Sequence, residues 1–310
     1  MRKILLFLFL NCTTLIVCFA QTDEFQYFYH PQYFNNGTVT DNKISKITVT
    51  SFWTRPKGTI YQDQQTVYTY NRSGEPICSE SYYFKPHEPE IITQQTIDCN
   101  EYEDGLQIRH LRYHNNKDSA EWIEEFDYKF DDRGNIIQTT TNDLSYPHNS
   151  SETFKEYDDL NRLIKSWTSY DYLTEYSYDQ NGNLTERIWG PKDGRRNRNI
   201  YKYDDAGNMI EYEFKGTAFD NFDIVRTTNE YDALGRIIET ENESMDGVRS
   251  KSKFFYSDDS TIKSEHYDED MKLQSVTIKS YEDGLIQSVI TKRDGTVHSK
   301  EIYEYVFYKN

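Results

Sequence analysis

The stretch DQNGN, Asp179 to Asn183, places side-chain oxygens at alternate positions, the pattern by which a loop can wrap a hard cation such as calcium. A calcium loop beginning at Asp179 needs Gly at its sixth position and Glu at its twelfth, where the chain has Leu184 and Gly190. The acid has a simpler use. Asp at the first position of a type I turn accepts backbone N–H groups ahead of it, and Gly182 supplies the positive φ that the fourth position favours. His110 and His114, in HLRYH, have the spacing that puts two imidazoles on one helical face for zinc. On a strand the same spacing separates them by about 13 Å, too far for one ion. No metal and no cofactor is expected. With 52 acidic residues a carboxylate pair at a glycosidase-like separation arises by chance, and no Gly-x-Ser-x-Gly elbow, P-loop or dinucleotide fingerprint occurs. The expectation is a protein that is not an enzyme.

Aromatic residues carry the stronger signal, with 27 Tyr and 17 Phe in 310 residues. Segments such as SYDYLTEYSY (Ser169 to Tyr178) and SYYF (Ser81 to Phe84) put rings on both faces of their strands. Burying one ring removes ~150 Å² from water, roughly 4 kcal/mol before entropy, so core packing can use many of them. The remainder suit a binding surface: Tyr170, Tyr172, Tyr176, Trp167 and Trp189, with Trp122, form flat platforms for sugar rings or a protein partner. Neighbouring Asp, Asn and Arg would serve as hydrogen-bonding arms.

Met1 to Ala20 reads as a signal peptide: two basic residues, an apolar run and a small residue at the cut. Nothing after it approaches the ~18 apolar residues of a membrane helix, so no transmembrane segment is expected once the leader is cleaved. Losing Arg2 and Lys3 moves the formal net charge from -17 to about -19. Such a surface repels phosphate backbones, which argues against nucleic acid as a partner. Cys78 and Cys99 remain in a chain bound for a disulfide-permissive compartment, either the periplasm, the outer surface or the medium of a bacterial cell. The turn-rich KPHEPE between them would bring the sulfurs together on adjacent strands; two buried thiols is the alternative.

The elements that must position these groups repeat. The phrase "aromatic, acid, two residues, Gly or Asn, one residue, aliphatic" fits at Phe130, Tyr157, Tyr178, Tyr203 and Tyr231, with weaker copies at Tyr70, Tyr102, Tyr256, Tyr281 and Tyr305, spaced about 26 residues apart. A type I turn closed by a left-handed residue is a three-residue hairpin with a bulge. Its register pairs Tyr178 with Leu184, Tyr203 with Met209, Tyr231 with Ile237, Phe130 with Ile136 and Tyr157 with Leu163, each pair on one face of its ribbon. Each phrase is read as a hairpin tip with an aromatic set against an aliphatic. About ten units give some twenty strands, more than a flat sheet bears. The predicted fold is all-β: an antiparallel hairpin meander over 66–310, coiled by its own twist into a spiral or open shell, with a β cap over 21–65 and a second free edge at VFYKN.

YDALGRI, Tyr231 to Ile237, resembles the YD repeat of Rhs-type proteins, and the resemblance runs from about Tyr68 to Tyr305. It implies a small secreted member of that family. Large members coil such hairpins into a hollow shell around a toxic domain; in small ones carbohydrate binding is the suggested role. The reading that results is an exported, non-enzymatic module binding glycan or protein through an aromatic, acidic sheet face. Its alternative is an envelope scaffold held by edge-to-edge contacts, without a small-molecule ligand.

Overall fold

The computed structural model describes residues 36–54, 59–85, 88–115, 120–216, 224–244, 247–257 and 260–308. The expected leader lies outside them. Tyr, Thr, Ile and Val alternating with charged residues favour extended backbone, and twenty strands follow a short helix α1 (Asn36–Asp41). They are β1 (Ile44–Thr54), β2 (Ile60–Tyr70), β3 (Pro76–Lys85), β4 (Glu88–Glu103), β5 (Leu106–His114), β6 (Trp122–Phe130) and β7 (Ile136–Asp143). Next come β8 (Ser151–Tyr157), β9 (Leu163–Thr168), β10 (Tyr172–Tyr178), β11 (Leu184–Pro191), β12 (Asn197–Tyr203), β13 (Met209–Lys215) and β14 (Ile224–Tyr231). The last are β15 (Ile237–Glu243), β16 (Arg249–Ser257), β17 (Thr261–Tyr267), β18 (Leu273–Glu282), β19 (Leu285–Arg293) and β20 (Thr296–Phe307).

The tips are built from their own acids. Asp204 Oδ1 accepts the backbone N–H groups of Ala206 (3.0 Å) and Asn208 (2.8 Å), and its Oδ2 accepts the Asn208 side-chain amide (2.9 Å). Asp179 and Asp131 repeat the arrangement with Asn183 and Asn135. In Asp158 and Asp232 the second oxygen takes the Nε of Arg162 or Arg236, each at 2.7 Å. The left-handed position is held by Gly207 (φ 85°), and by Asn161 (φ 61°) where Gly is absent. Beyond each turn the ladder pairs Tyr178 with Leu184, Tyr203 with Met209, Tyr231 with Ile237, Phe130 with Ile136 and Tyr157 with Leu163, each across a register shift.

Successive strands pair antiparallel throughout, but the array is neither a spiral nor an open shell. β20 pairs with β1 from Ile44–Phe307 to Trp53–Ser299, so the two expected edges join and the meander closes as a barrel of twenty strands. Closure satisfies the backbone groups that free edges would expose. The physical reason lies in the strand number: a sheet this wide that twists and tilts must meet itself or splay, and a ring satisfies every ladder. For a circular section, twenty strands ~4.8 Å apart and tilted ~40° give a backbone diameter of roughly 40 Å. Tyr308 adds a hydroxyl hydrogen bond to the Tyr70 carbonyl at the seam.

Following the register around the ring separates two faces. The buried polar residues Thr66, Asn100, Gln107, His110, Thr139, Asp143, Thr174, Asn199, Thr227, Asn229, Thr240, Ser252 and Lys279 all fall on the face that carries the tip aromatics. Side chains crowd on a concave surface and splay on a convex one, so this is the lumen wall. The opposite face carries most of the ion pairs, among them Lys202–Glu211–Arg226 and Lys251–Glu239 across strands and Lys263–Glu265 along β17. Among the described residues the buried apolar cluster lies in one sector, formed by Val39 of α1 with Ile44, Ile47, Tyr68, Tyr70, Leu285, Ile286, Val289 and Tyr303.

Candidate functional site

The lumen wall is latched from repeat to repeat. The hydroxyls of six tip tyrosines donate to the backbone carbonyl of the aliphatic residue in the preceding hairpin: Tyr157 to Ile136, Tyr178 to Leu163, Tyr203 to Leu184, Tyr231 to Met209, Tyr256 to Ile237 and Tyr305 to Ile286. Phe130 has no hydroxyl, and Tyr128 takes the duty by donating to Gln107. Arginine at the end of a tip covers the next ring, Arg162 over Tyr178 at 4.7 Å and Arg236 over Tyr256 at 4.4 Å. These tyrosines are thereby committed to structure.

Between β10 and β13 the wall holds a different group. The ladder sets Tyr176 opposite Arg187, Arg187 opposite Asn199 and Asn199 opposite Phe214, one transverse row across four strands. Trp189, next on β11, stacks on Phe214 with centroids 5.9 Å apart. The Arg187 guanidinium lies over both rings beside it, 5.1 Å from Trp189 and 5.8 Å from Tyr176. Asn199 donates to the Tyr201 hydroxyl (3.0 Å) and accepts the Tyr212 hydroxyl (2.9 Å). Burial pushes the Tyr212 phenol up to about 12, so it stays a neutral donor to Asn199. Arg187 Nε and the Tyr176 hydroxyl are buried with no hydrogen-bond partner among the described residues.

The expected platform residues thus divide. Tyr176 and Trp189 share the lumen row. Trp167 lies on the outer face by register, stacked on Phe154 at 5.4 Å under the Lys165 ammonium. Tyr170 sits in the turn before β10, 63% exposed, its hydroxyl bonded to the Ser150 carbonyl; Tyr172 begins β10, 42% exposed. Trp122 is in the lumen wall beside His110 and Arg112, well around the ring. Aromatics and acids also separate: from β8 to β19, the register places no Asp or Glu on the lumen side of a described strand.

A second polar cluster crosses β4 to β6. His110, 6% exposed, lies 3.3 Å from both Asp98 and Glu124, and Arg112 Nε donates to Asp98 at 2.7 Å. Burial opposes charging the imidazole, but the two carboxylates outweigh it and raise its pKa; Asp98 is lowered, since His110 and Arg112 overcome its desolvation. His114 instead meets Thr96. Cys78 and Cys99 face each other across β3 and β4 as a disulfide, Cα atoms 4.1 Å apart. Among the described residues no group of three or more His, Cys, Asp or Glu could hold a metal, and no helix is long and apolar enough to cross a membrane.

No family model matches the chain, and no curated protein matches it. Among solved structures, TcdB2-TccC3-Cdc42 aligns over 79% of this chain at 13% identity and a TM-score of 0.35; this chain spans 16% of that chain's length. Porin-like proteins from Bacteroides uniformis and Bacteroides vulgatus align over 86% and 85% of this chain and 97% and 98% of theirs, at 10% identity and TM-scores of 0.33 and 0.28.

Proposed function

We propose that this chain is an exported, non-enzymatic member of the YD-repeat class whose closed barrel binds a glycan at the lumen wall. One observation carries the reading: the lumen row Tyr176–Arg187–Asn199–Phe214 with Trp189 combines aromatic faces with amide, guanidinium and phenol groups, two of whose polar atoms are buried with no partner among the described residues. Sugars are recognised by that mixture, a ring face against an aromatic and hydroxyls against planar polar side chains. The outer face suits water, because β15 and β16 place Glu239, Glu241, Glu243, Arg249, Lys251 and Lys253 where a lipid-facing band would be apolar. The scaffold alternative relied on strand edges, and the closed ring leaves it without them.

Glycan-array binding tests this. Trp189→Ala and Tyr176→Ala should each remove the bound signal while Trp167→Ala, on the outer face, leaves it. A signal insensitive to the lumen pair, or concentration-dependent assembly without glycan binding, would overturn the reading.

A further inference from the structure

Arg187 differs from most arginines of the barrel. Arg109, Arg112, Arg133, Arg162, Arg196, Arg198, Arg226, Arg236 and Arg249 each lie within ion-pair reach of a carboxylate. Among the described residues Arg187, like Arg72 and Arg293, has no carboxylate in ion-pair reach; it lies against the faces of Tyr176 and Trp189, and it is the one described arginine whose Nε is a buried donor without an acceptor there. A guanidinium offers five donors in a planar fork and is always charged, so leaving its buried Nε unmet costs stability unless something else fills it. The chain has acids to spare, with 52 Asp and Glu, yet the register sends them to the outer face and the turns throughout this arc. A cation without a carboxylate inside an acidic protein marks a place where the carboxylate arrives from outside.

Resting on the glycan reading above, we infer that Arg187 is the anion-recognising centre of a lumen subsite for a carboxylate-bearing sugar of the uronic acid kind. The sugar carboxylate meets the Arg187 fork in a bidentate pair, and the Tyr176 hydroxyl, unpartnered beside it, takes an adjacent oxygen. The ring lies against Trp189, itself braced by Phe214. Asn199, held between the Tyr201 and Tyr212 hydroxyls, stands fixed opposite Arg187.

Calorimetric titration with three probes tests it: a de-esterified oligogalacturonate, its methyl ester, and a neutral β-glucan oligomer. The native chain should bind the acid form at least about tenfold more tightly than the ester. Arg187→Gln should abolish that difference, whereas Arg198→Gln on the outer face should keep it. Equal affinity for acid and ester, or a preference that survives Arg187→Gln, overturns the inference while leaving lumen glycan binding in place. Binding of none of the three by the native chain overturns this inference, and an array without any glycan signal overturns the function beneath it. Should Arg187→Gln fold poorly, the acid-versus-ester comparison on the native chain decides alone.

Discussion

The Tyr203 hydroxyl donates to the Leu184 carbonyl oxygen at 2.9 Å, joining one hairpin to the one before it. Leu184 is the partner of Tyr178, so each aromatic–aliphatic pair is tied to its neighbour through the backbone of its aliphatic member. The bond explains why the repeated phrase begins with tyrosine rather than phenylalanine. Tyr203→Phe keeps the ring and removes the donor, and chemical denaturation should show a loss of about 1 kcal/mol. Tyr128→Phe should cost a similar amount, since Tyr128 serves where Phe130 cannot.

The Cys78–Cys99 disulfide closes a loop of 21 residues between adjacent strands. Restricting the unfolded chain over that span is worth about 3 kcal/mol in the chain-entropy view. Cys78→Ser/Cys99→Ser should lower unfolding free energy by about that amount, and reductant should shift the native chain but not the double variant.

Stability should depend on pH through His110 and Asp98. The folded pKa of His110 lies above its ordinary 6.5, so its contribution is complete below that value and is lost as pH rises through the raised one. That of Asp98 lies below 3.8, so its contribution is present above 3.8 and is lost as pH falls through the lowered one. Between these limits both are intact. Melting temperature against pH should fall on the alkaline side of 6.5, and His110→Gln should flatten that limb.

The tip carboxylates carry the same logic at acid pH. The Asn208 amide and backbone N–H hold the Asp204 carboxyl below its usual range, and Asn183 does the same for Asp179. Both oxygens of each are occupied by the turn, so calcium and a chelator should leave the melting temperature unchanged. Asp204→Ala should lower it.

The repeated hairpins were legible in the sequence because their causes are local. Asp179 and Gly182 make demands that four residues settle among themselves. Closure was not legible, because it depends on twist and tilt accumulated over twenty strands and on pairing Ile44 with Phe307 across nearly the whole chain. Of the expected platform residues, Tyr176 and Trp189 fall by register in the candidate lumen site and Trp167 on the other face. Arg187 was missed for a specific reason. The register shift beside Tyr178 inserts one residue, so plain alternation from Leu184 would turn Glu186 and Ile188 inward, while the ladder turns Arg187 and Trp189 inward.

Closure is tested most directly by a cross-link between the first and last strands. Thr48 and Glu304 are ladder partners on the outer face of β1 and β20. The double variant Thr48→Cys/Glu304→Cys should form an intramolecular disulfide under mild oxidation, seen by mass spectrometry of the non-reduced peptides, with the monomer unchanged in size. Two free thiols, or a bond formed only between molecules, would mean that the ring is open.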